Sequence, residues 1–217
     1  MKLLIISGTP QIEGLTYEFV QMATKTGESL NFETKVLTLS DKKIDKCKMC
    51  GDGWGICFHE HYCTFGKDDD FTELQAEMHS ADAYIYVTPV YWGEVSEDLK
   101  CFLDKLRRCE ASNIWDKREG KKSGLVGKPS IVVANAGGGG GGTISTFTQL
   151  ERAISHMGGD AQPRETVGIF DWIAVNRWNK DYKLQTLKSA ITEMHKYLTG
   201  ELLPWRTFND KTKDTKK

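Results

Sequence analysis

Short apolar segments alternate with amphipathic segments along most of the 217-residue chain. Compact apolar or alternating runs predict strands at residues 2–7, 32–39, 83–87 and 130–134, with a fifth within 165–170. Apolar residues at helical spacing predict helices over 16–26, 70–80, 99–106, 147–157 and 184–198. Asp70, with Glu73 at the third helical position, is predicted to cap the second of these helices. Strands that alternate with helices predict a parallel, doubly wound α/β sheet.

The pattern predicts one domain over residues 1–200, with a cysteine-rich insertion at 47–63 and an extension at 201–217 whose end is a charged tail. The polar stretch 111–128 is predicted to be a surface insertion. The segment 170–178 is unusually apolar for a connection, with Trp172, Ile173, Val175 and Trp178. It predicts a homo-oligomeric interface, with a lid packed on its own domain as the alternative.

The charge balance disfavours a polyanionic partner, because the 29 Lys and Arg residues are balanced by 30 Asp and Glu residues. We therefore expect neither nucleic-acid nor membrane binding. The first apolar run is too short for a signal peptide, which predicts a cytoplasmic protein. Six cysteines in such a protein are better interpreted as thiols or metal ligands than as a disulfide framework.

Residues 7–16 follow the first predicted strand and combine hydroxyl side chains with glycines at a helix start. Backbone amides in such a loop form a nest for an anion such as a phosphate. The loop has neither the Walker lysine nor GxGxxG spacing, which argues against ATP and against a Rossmann dinucleotide site. A mononucleotide phosphate fits, and an ordinary turn is the alternative.

Two further loops follow predicted strands and should meet the first at the carboxyl edge of the sheet. Residues 88–93 place Tyr91, Trp92 and Gly93 there, which fits a wall for a flat aromatic ligand. Residues 135–143 contain six consecutive glycines, whose amides are suited to the negative charge of a reduced flavin. The alternatives are aromatic capping of the sheet and a flexible glycine linker.

Three sequence segments resemble a known family. They are TPVYWG at 88–93 with Ser96 and LKCFLD at 99–104, ISGTP at 6–10 with EGLT at 13–16, and the cysteine segment ending in three aspartates at 68–70. Together they resemble the NAD(P)H-dependent FMN reductase and iron-sulfur flavoprotein branch of the flavodoxin-like superfamily, over roughly residues 1–158. The resemblance implies a three-layer flavodoxin-like fold with five parallel strands in the order 2-1-3-4-5. It also implies FMN as cofactor and NAD(P)H as electron donor.

Carried over residue by residue, the resemblance implies three groups of FMN contacts. The phosphate contacts are Ser7, Thr9, Gln11, Gly14, Leu15 and Thr16; the isoalloxazine contacts are Pro89, Val90, Tyr91, Trp92 and Gly93; the pyrimidine contacts are Asn135, Ala136, Gly137 and Gly138. Gln11 stands where the family commonly has a basic residue, and Glu97 stands where it often has glycine. The first departure weakens the expected phosphate site; the second leaves the flavin assignment intact.

The cysteine segment contains Cys47, Cys50, Cys57 and Cys63, separated by two, six and five residues. The resemblance implies a tighter spacing between the second and third cysteines for iron-sulfur members. A structural loop with thiols is the first interpretation, ligation of a [4Fe-4S] cluster is the second, and zinc with help from His59 or His61 is the third. Cys101 and Cys109 are interpreted as helix-packing residues.

The predicted function is an FMN-dependent NAD(P)H oxidoreductase that passes hydride through flavin N5 to a quinone, a nitro compound, a flavin or another acceptor. No catalytic side chain is required, because the flavin carries the chemistry. The alternatives are an iron-sulfur or thiol-containing electron carrier or redox sensor, and a flavin-free scaffold. The expected partners are a small-molecule acceptor or a redox protein, and a second copy of the chain in a homodimer or homotetramer.

Overall fold

The computed structural model describes residues 1–51, 55–111, 123–158 and 172–202. The strands are β1 (Lys2–Ser7), β2 (Glu33–Thr38), β3 (Ala83–Pro89), β4 (Ser130–Asn135) and β5 (Trp172–Val175). The helices are α1 (Leu15–Ser29), α2 (Ile56–Glu60), α3 (Phe71–Ser80), α4 (Glu97–Cys109), α5 (Thr143–His156) and α6 (Lys180–Leu198). A single 3₁₀ turn at Leu39–Asp41 follows β2.

The five strands form one parallel sheet in the order β2-β1-β3-β4-β5. The central strands β3 and β4 are buried along their whole length, which explains why their sequences are continuously apolar rather than alternating. The predicted flavodoxin-like fold and strand order are confirmed.

Alternate residues of each strand pack into two separate cores, one on each face of the sheet. Leu4 and Ile6 of β1 join the core covered by α3, α4 and α5, whereas Leu3 and Ile5 join the core covered by α1 and α6. This division follows from the two-residue side-chain period of a strand. The result is three layers whose strand ends share one edge.

The segment after α5 differs from its prediction. Residues 165–170, where the sequence pattern predicts the fifth strand, lie outside the described residues, and the strand that pairs with β4 is Trp172–Val175. Ile173 and Val175 are buried as part of β5, so the apolar character of these two residues comes from the sheet and not from an interface loop. The remainder of 170–178 as a subunit interface stays a prediction.

Two local expectations also need correction. Asp70 does precede α3, but its carboxylate accepts a hydrogen bond from the Lys43 amide, and it is Asp69 that accepts from the Phe71 amide. In the predicted surface insertion, residues 112–122 lie outside the described residues, while Ser123 and Leu125 are buried.

None of the helices described is long and apolar enough to cross a membrane.

Candidate functional site

The loops that follow β1 and β3 are in direct contact at the carboxyl edge of the sheet. The Gly8 amide donates to the Val87 carbonyl at 2.8 Å, and a side chain on Gly8 would place its Cβ only 2.6 Å from Ser96 Oγ. Glycine is therefore required where the backbone of the first loop passes the side chains of Ser96, Leu99 and Thr88. The contact places the predicted phosphate loop beside the predicted isoalloxazine loop.

The loops that follow β3 and β4 meet just as closely. The Val90 amide donates to the Asn135 carbonyl at 2.8 Å, and Ser145 Oγ at the start of α5 donates to the Gly93 carbonyl at 2.6 Å. A Cβ on Gly142 would lie 2.6 Å from Gly93 Cα, and Gly142 has a φ of 84°. All three predicted loops thus lie side by side at the carboxyl edge of the sheet, and we call this region the strand-end crevice.

The phosphate loop ends in a helix start that has no side-chain cap. Gly14 occupies the cap position of α1 with a φ of 88°, and in the described structure no side chain hydrogen-bonds to the first-turn amides. Unpaired first-turn amides and the helix dipole favour an anion. Ser7 and Thr9 are buried, and Thr9 Oγ1 accepts a hydrogen bond from the Gln11 amide at 3.3 Å.

Leu15 and Thr16 form the first turn of α1, and the side chain of Leu15 points into the core. The Leu15 side chain packs into the core shared with α6, so only its backbone amide is available to a ligand. Thr16 and Gly14 lie in the same turn, and Gln11 is exposed just before it. The phosphate contact that the resemblance implies for Leu15 stays a prediction, and it would be a main-chain contact.

The aromatic loop forms a tight turn that holds its side chains away from the core. Tyr91 and Glu94 exchange two backbone hydrogen bonds of 3.0 Å, and Trp92 and Gly93 have φ angles of 52° and 84°. These angles define a type I′ turn, in which a tryptophan is strained. The Trp92 side chain is fully exposed and Tyr91 is half exposed, so aromatic capping of the sheet is wrong.

The loop after β4 presents an unsatisfied amide side chain. Asn135 is buried, and neither its Oδ1 nor its Nδ2 has a hydrogen-bond partner among the described residues. Buried polar atoms are nearly always paired, so an orphaned amide at a strand end indicates an absent partner. The Ala136 amide is already bonded to the Val175 carbonyl at 2.9 Å, which leaves Gly137 and Gly138 as the open backbone of this loop.

A fourth loop, after β5, also borders the crevice and was not recognised from the sequence as part of the site. A Cβ on Gly139 would contact the Trp178 ring at 3.7 Å, and one on Gly140 would contact Asn176 Nδ2 at 3.5 Å. Asn176 Oδ1 accepts hydrogen bonds from the amides of Trp178 and Asn179, which shapes this loop. The glycine loop is therefore held at both ends and is not a flexible linker.

The four cysteines of the insertion lie around a second, separate cavity that we call the cysteine pocket. It is lined by Cys47, Cys50, Cys57 and Cys63, and also by Lys105, Arg108 and Cys109 from α4. The helix-packing interpretation of Cys109 is incomplete, because its position at the end of α4 makes it a fifth thiol of this pocket. Only the contact of the insertion with α4 reveals this, so spacing alone gave no signal.

Two thiols of the cysteine pocket are paired by a hydrogen bond. The Cys109 thiol lowers the pKa of Cys57 to about 6, against the opposing effect of burial and with smaller help from the Phe58 amide and the Arg108 charge. The same hydrogen bond and burial raise the pKa of Cys109, and burial raises that of Cys63. Cys57 is therefore the most acidic of these three thiols.

Buried polar groups hold the cysteine pocket against the domain. Asp69 and Lys105 form an ion pair with almost no exposure, and Asp69 also accepts from the Asp45 amide at 2.7 Å. His61 Nδ1 lies 2.6 Å from the Cys109 carbonyl, and the His61 carbonyl accepts from Gln75 Nε2 at 2.8 Å. The middle aspartate of the 68–70 run is thus a structural anchor.

A buried carboxylate extends this support beyond Gln75. Glu110 accepts hydrogen bonds from Gln75 Nε2 at 2.5 Å and from Ser123 Oγ at 2.7 Å, and His79 Nε2 lies 2.6 Å away. Burial raises the pKa of Glu110, but the bonds from His79, Ser123 and Gln75 outweigh it and hold the pKa below its ordinary value. Glu110 is therefore a charged anchor within the fold.

The structure shows no preassembled metal site among the described residues of the insertion. Within the described ranges, no group of three or more His, Cys, Asp and Glu side chains is placed to hold a metal ion. This finding counts equally against the zinc and the cluster interpretations. The lining of four thiols, with Arg108 beside them, matches the ligand type of an iron-sulfur cluster.

Comparison with known proteins identifies the family of the chain. Residues 1–169 match the family described as NADPH-dependent FMN reductase. An iron-sulfur flavoprotein of Methanocaldococcus jannaschii is 36% identical over 107 residues, which are 49% of this chain and 52% of that protein. The chain thus spans about half the length of the curated relatives it matches.

Solved structures share the fold at low sequence identity. RosB with bound 8-demethyl-8-formylriboflavin-5′-phosphate has a TM-score of 0.65 at 15% identity, covering 100% of this chain and 88% of that one. The NAD(P)H:quinone oxidoreductase of Methanothermobacter marburgensis has a TM-score of 0.61 at 15% identity, covering 88% and 96%. The predicted family, flavoprotein class and FMN cofactor are confirmed by the family match, whereas the individual contact residues stay predictions.

Proposed function

Because the chain belongs to the NADPH-dependent FMN reductase family, we propose that it is a flavin oxidoreductase that works between NAD(P)H and a flat, conjugated acceptor such as a quinone. The observation that carries the proposal is the adjacency of the loops after β1, β3 and β4, with the unpaired Asn135 amide at the end of β4. The exposed rings of Tyr91 and Trp92 at the mouth support a flat acceptor, and a quinone appears in the name of one structural neighbour.

The first loop would hold the FMN phosphate through main-chain amides. Gly14, Leu15 and Thr16 supply the uncapped first turn of α1, and the buried Thr9 hydroxyl lies beside them. Gln11 brings no positive charge, so the helix terminus and neutral donors supply the attraction. Ser7 lies at the end of β1 beneath this loop and shapes its floor.

The other two loops would hold the ring system. Val90 and Gly93 form one wall, and Pro89 at the end of β3 fixes where this wall begins. The Asn135 side chain offers one donor and one acceptor to the pyrimidine edge of a flavin, and the Gly137 and Gly138 amides can face the same edge. These dipoles are fixed before the ligand arrives, which is how a protein tunes a flavin.

FMN, when bound, supplies the two-electron chemistry by accepting a hydride and later passing the electrons on. The chain's own residues bind and orient it. No side chain of the crevice is required to act as an acid or base.

The test is anaerobic reduction of the FMN-loaded protein. We expect NADPH or NADH to bleach the flavin absorbance within the time of rapid mixing, and a quinone added afterwards to restore it. Flavin that is reduced by dithionite but by neither nucleotide would contradict the proposal.

A second candidate function is single-electron transfer through a [4Fe-4S] cluster. The observation that favours it is the convergence of Cys47, Cys50, Cys57 and Cys63 on one cavity, and relatives of this chain are named iron-sulfur flavoproteins. These four thiols would hold the cluster, whose chemistry is one-electron exchange. Arg108 would offset part of its negative charge, whereas Lys105 is already paired with Asp69.

Metal analysis decides this candidate. Protein purified without oxygen should contain iron and sulfide in cluster stoichiometry, and Cys57→Ala should lose both while Cys101→Ala keeps them. Iron-free protein with intact thiols would instead support a structural loop.

We also propose a cytoplasmic homodimer or homotetramer. Trp178, which is 74% exposed beside the glycine loop, supports a subunit contact there. Sedimentation should show a dimer or tetramer that Trp178→Ala weakens, and a monomer at all concentrations would contradict this.

A further inference from the structure

A large groove lies between α4 and α5 and takes no part in the crevice described above. Its volume is about 750 Å³. Its α4 wall includes Asp104 and Arg107, and its α5 wall includes Gln149, Arg152 and His156, which fall on single helix faces because they recur every three or four residues. The volume matches that of sites for small ligands.

The groove opens directly beside the aromatic loop of the crevice. Ser145, at the top of its α5 wall, donates to the Gly93 carbonyl at 2.6 Å. Gln149, one turn lower, accepts from the Val95 amide at 3.1 Å. Arg152 lies seven residues after Ser145, which is about 10 Å along the helix axis. A ligand that begins at the aromatic loop can therefore reach Arg152.

The groove carries more positive than negative charge. Among the ion pairs of the described residues, Lys100 and Arg107 have only Asp104 as partner, and Arg107 is 3.6 Å from it. Arg152 is exposed and forms no ion pair in the part of the chain that the structure describes. Burial, and then the nearby charges of Arg107 and Arg108, lower the pKa of His156. The remaining positive charge has no protein counterpart among the described residues at this end of the groove.

We propose that this groove binds the adenosine half of NADPH, with Arg107 and Arg152 contacting its 2′-phosphate and thereby selecting NADPH over NADH. A phosphomonoester carries close to two negative charges at neutral pH, and the planar guanidinium fork matches phosphate geometry. The proposal rests on the proposed reductase function, because the nicotinamide end would lie against the flavin beside Gly93.

A fragment titration tests the site without requiring turnover. Calorimetry on the FMN-loaded protein should show 2′,5′-ADP binding at least tenfold more tightly than 5′-ADP. Arg152→Gln should remove that difference, Arg152→Lys should restore part of it, and Lys188→Gln on the exposed face of α6 should leave it unchanged. Equal binding of the two nucleotides, or no binding of either because a second copy covers the groove, would overturn the proposal.

Steady-state kinetics provide the second readout. Arg152→Gln should raise KM for NADPH at least tenfold with little change in kcat, and leave both constants for NADH unaltered. An equal loss with both nucleotides would indicate a structural role and overturn the assignment. If neither nucleotide reduces the flavin of the wild-type protein, the reductase proposal fails. The fragment titration still shows whether the groove binds a 2′-phosphorylated nucleotide.

Discussion

The strand-end crevice and the cysteine pocket are built by different means. The crevice is made mainly of backbone at the ends of β1, β3 and β4, where glycines such as Gly8 and Gly142 let the chain approach itself. The cysteine pocket is made of side chains that a long excursion lays against α4. The register of the parallel sheet determines the geometry of the crevice, whereas buried polar pairs determine the position of the cysteine pocket.

This difference predicts where each region is vulnerable. A substitution that prevents two loops of the crevice from making close contact should weaken ligand binding. The fold should remain stable, because its two large hydrophobic cores are unchanged. Asp69 and Lys105 anchor the cysteine pocket, and a substitution that removes either one should lower the stability of the protein. The reason is that the remaining buried charge would be unpaired, which is costly. Substitutions in the two regions should therefore separate stability from flavin affinity.

The largest expected effect belongs to the buried ion pair. Lys105→Met leaves the Asp69 carboxylate buried without its partner, and should lower the free energy of unfolding by about 3–5 kcal/mol. Urea denaturation at neutral pH measures this, with Lys188→Met as the exposed control. FMN affinity of the folded fraction should change less than twofold, and a loss of stability under about 1 kcal/mol would contradict the role of the pair.

The next effect compares two neighbouring glycines. Gly142→Ala drives a Cβ against Gly93 Cα at a φ of 84°, and should weaken FMN binding roughly 30-fold, or about 2 kcal/mol. Gly141→Ala meets no atom within 4 Å and should bind FMN like the wild type. Fluorescence titration of both apoproteins measures the difference; equal affinities would show that the contact of the two loops does not shape the site.

A substitution of Asn135 should affect the stability of the apoprotein and its affinity for FMN in opposite directions. Asn135→Leu removes two buried, unpaired polar atoms, so the apoprotein should be as stable as the wild type or more so, while FMN affinity falls about tenfold. Ser130→Ala removes an equally buried, unpaired hydroxyl at the other end of β4 and serves as the control. Unchanged FMN affinity in Asn135→Leu would remove the amide from the binding site.

The smallest effect concerns the reactivity of Cys57. With a pKa of about 6, its thiolate dominates above that pH, so alkylation in metal-free protein should have a midpoint near pH 6. Cys109→Ala removes the hydrogen bond and should move the midpoint upward, toward the ordinary value of about 8.5. The rate at pH 7 should fall only about threefold, because a less acidic thiolate is more nucleophilic.

Mass spectrometry of the labelled peptides identifies the reacting cysteine in that experiment. Cys101→Ala, on the same helix as Cys109, is the matched control and should leave the midpoint where it is. A midpoint that stays near pH 6 in Cys109→Ala would show that another group stabilises the thiolate.

Features that depend on local pattern could be predicted from the sequence. The buried runs of β3 and β4 and the loops after them follow from periodicity and from glycines, and the sheet rule then brings the loops together. The four cysteines of the insertion also share a pocket, although their spacing alone could not place them around it.

Features that depend on tertiary contact could not be predicted. Cys109 belongs to the pocket only because the insertion folds back on α4, and Trp178 reaches the glycine loop only because β5 pairs with β4. Likewise, the capping role expected of Asp70 falls to Asp69, since the Lys43 backbone competes for the Asp70 carboxylate. Nothing in the local sequence reports these partners.

Hydrogen exchange with and without FMN tests most directly whether the strand-end crevice, and not the cysteine pocket, is the flavin site. Saturating FMN should slow exchange in peptides covering residues 9–16, 90–93 and 136–142, with no change in those covering 43–51 and 55–66. Protection centred on the cysteine segment, or none at the three strand-end loops, would contradict the account.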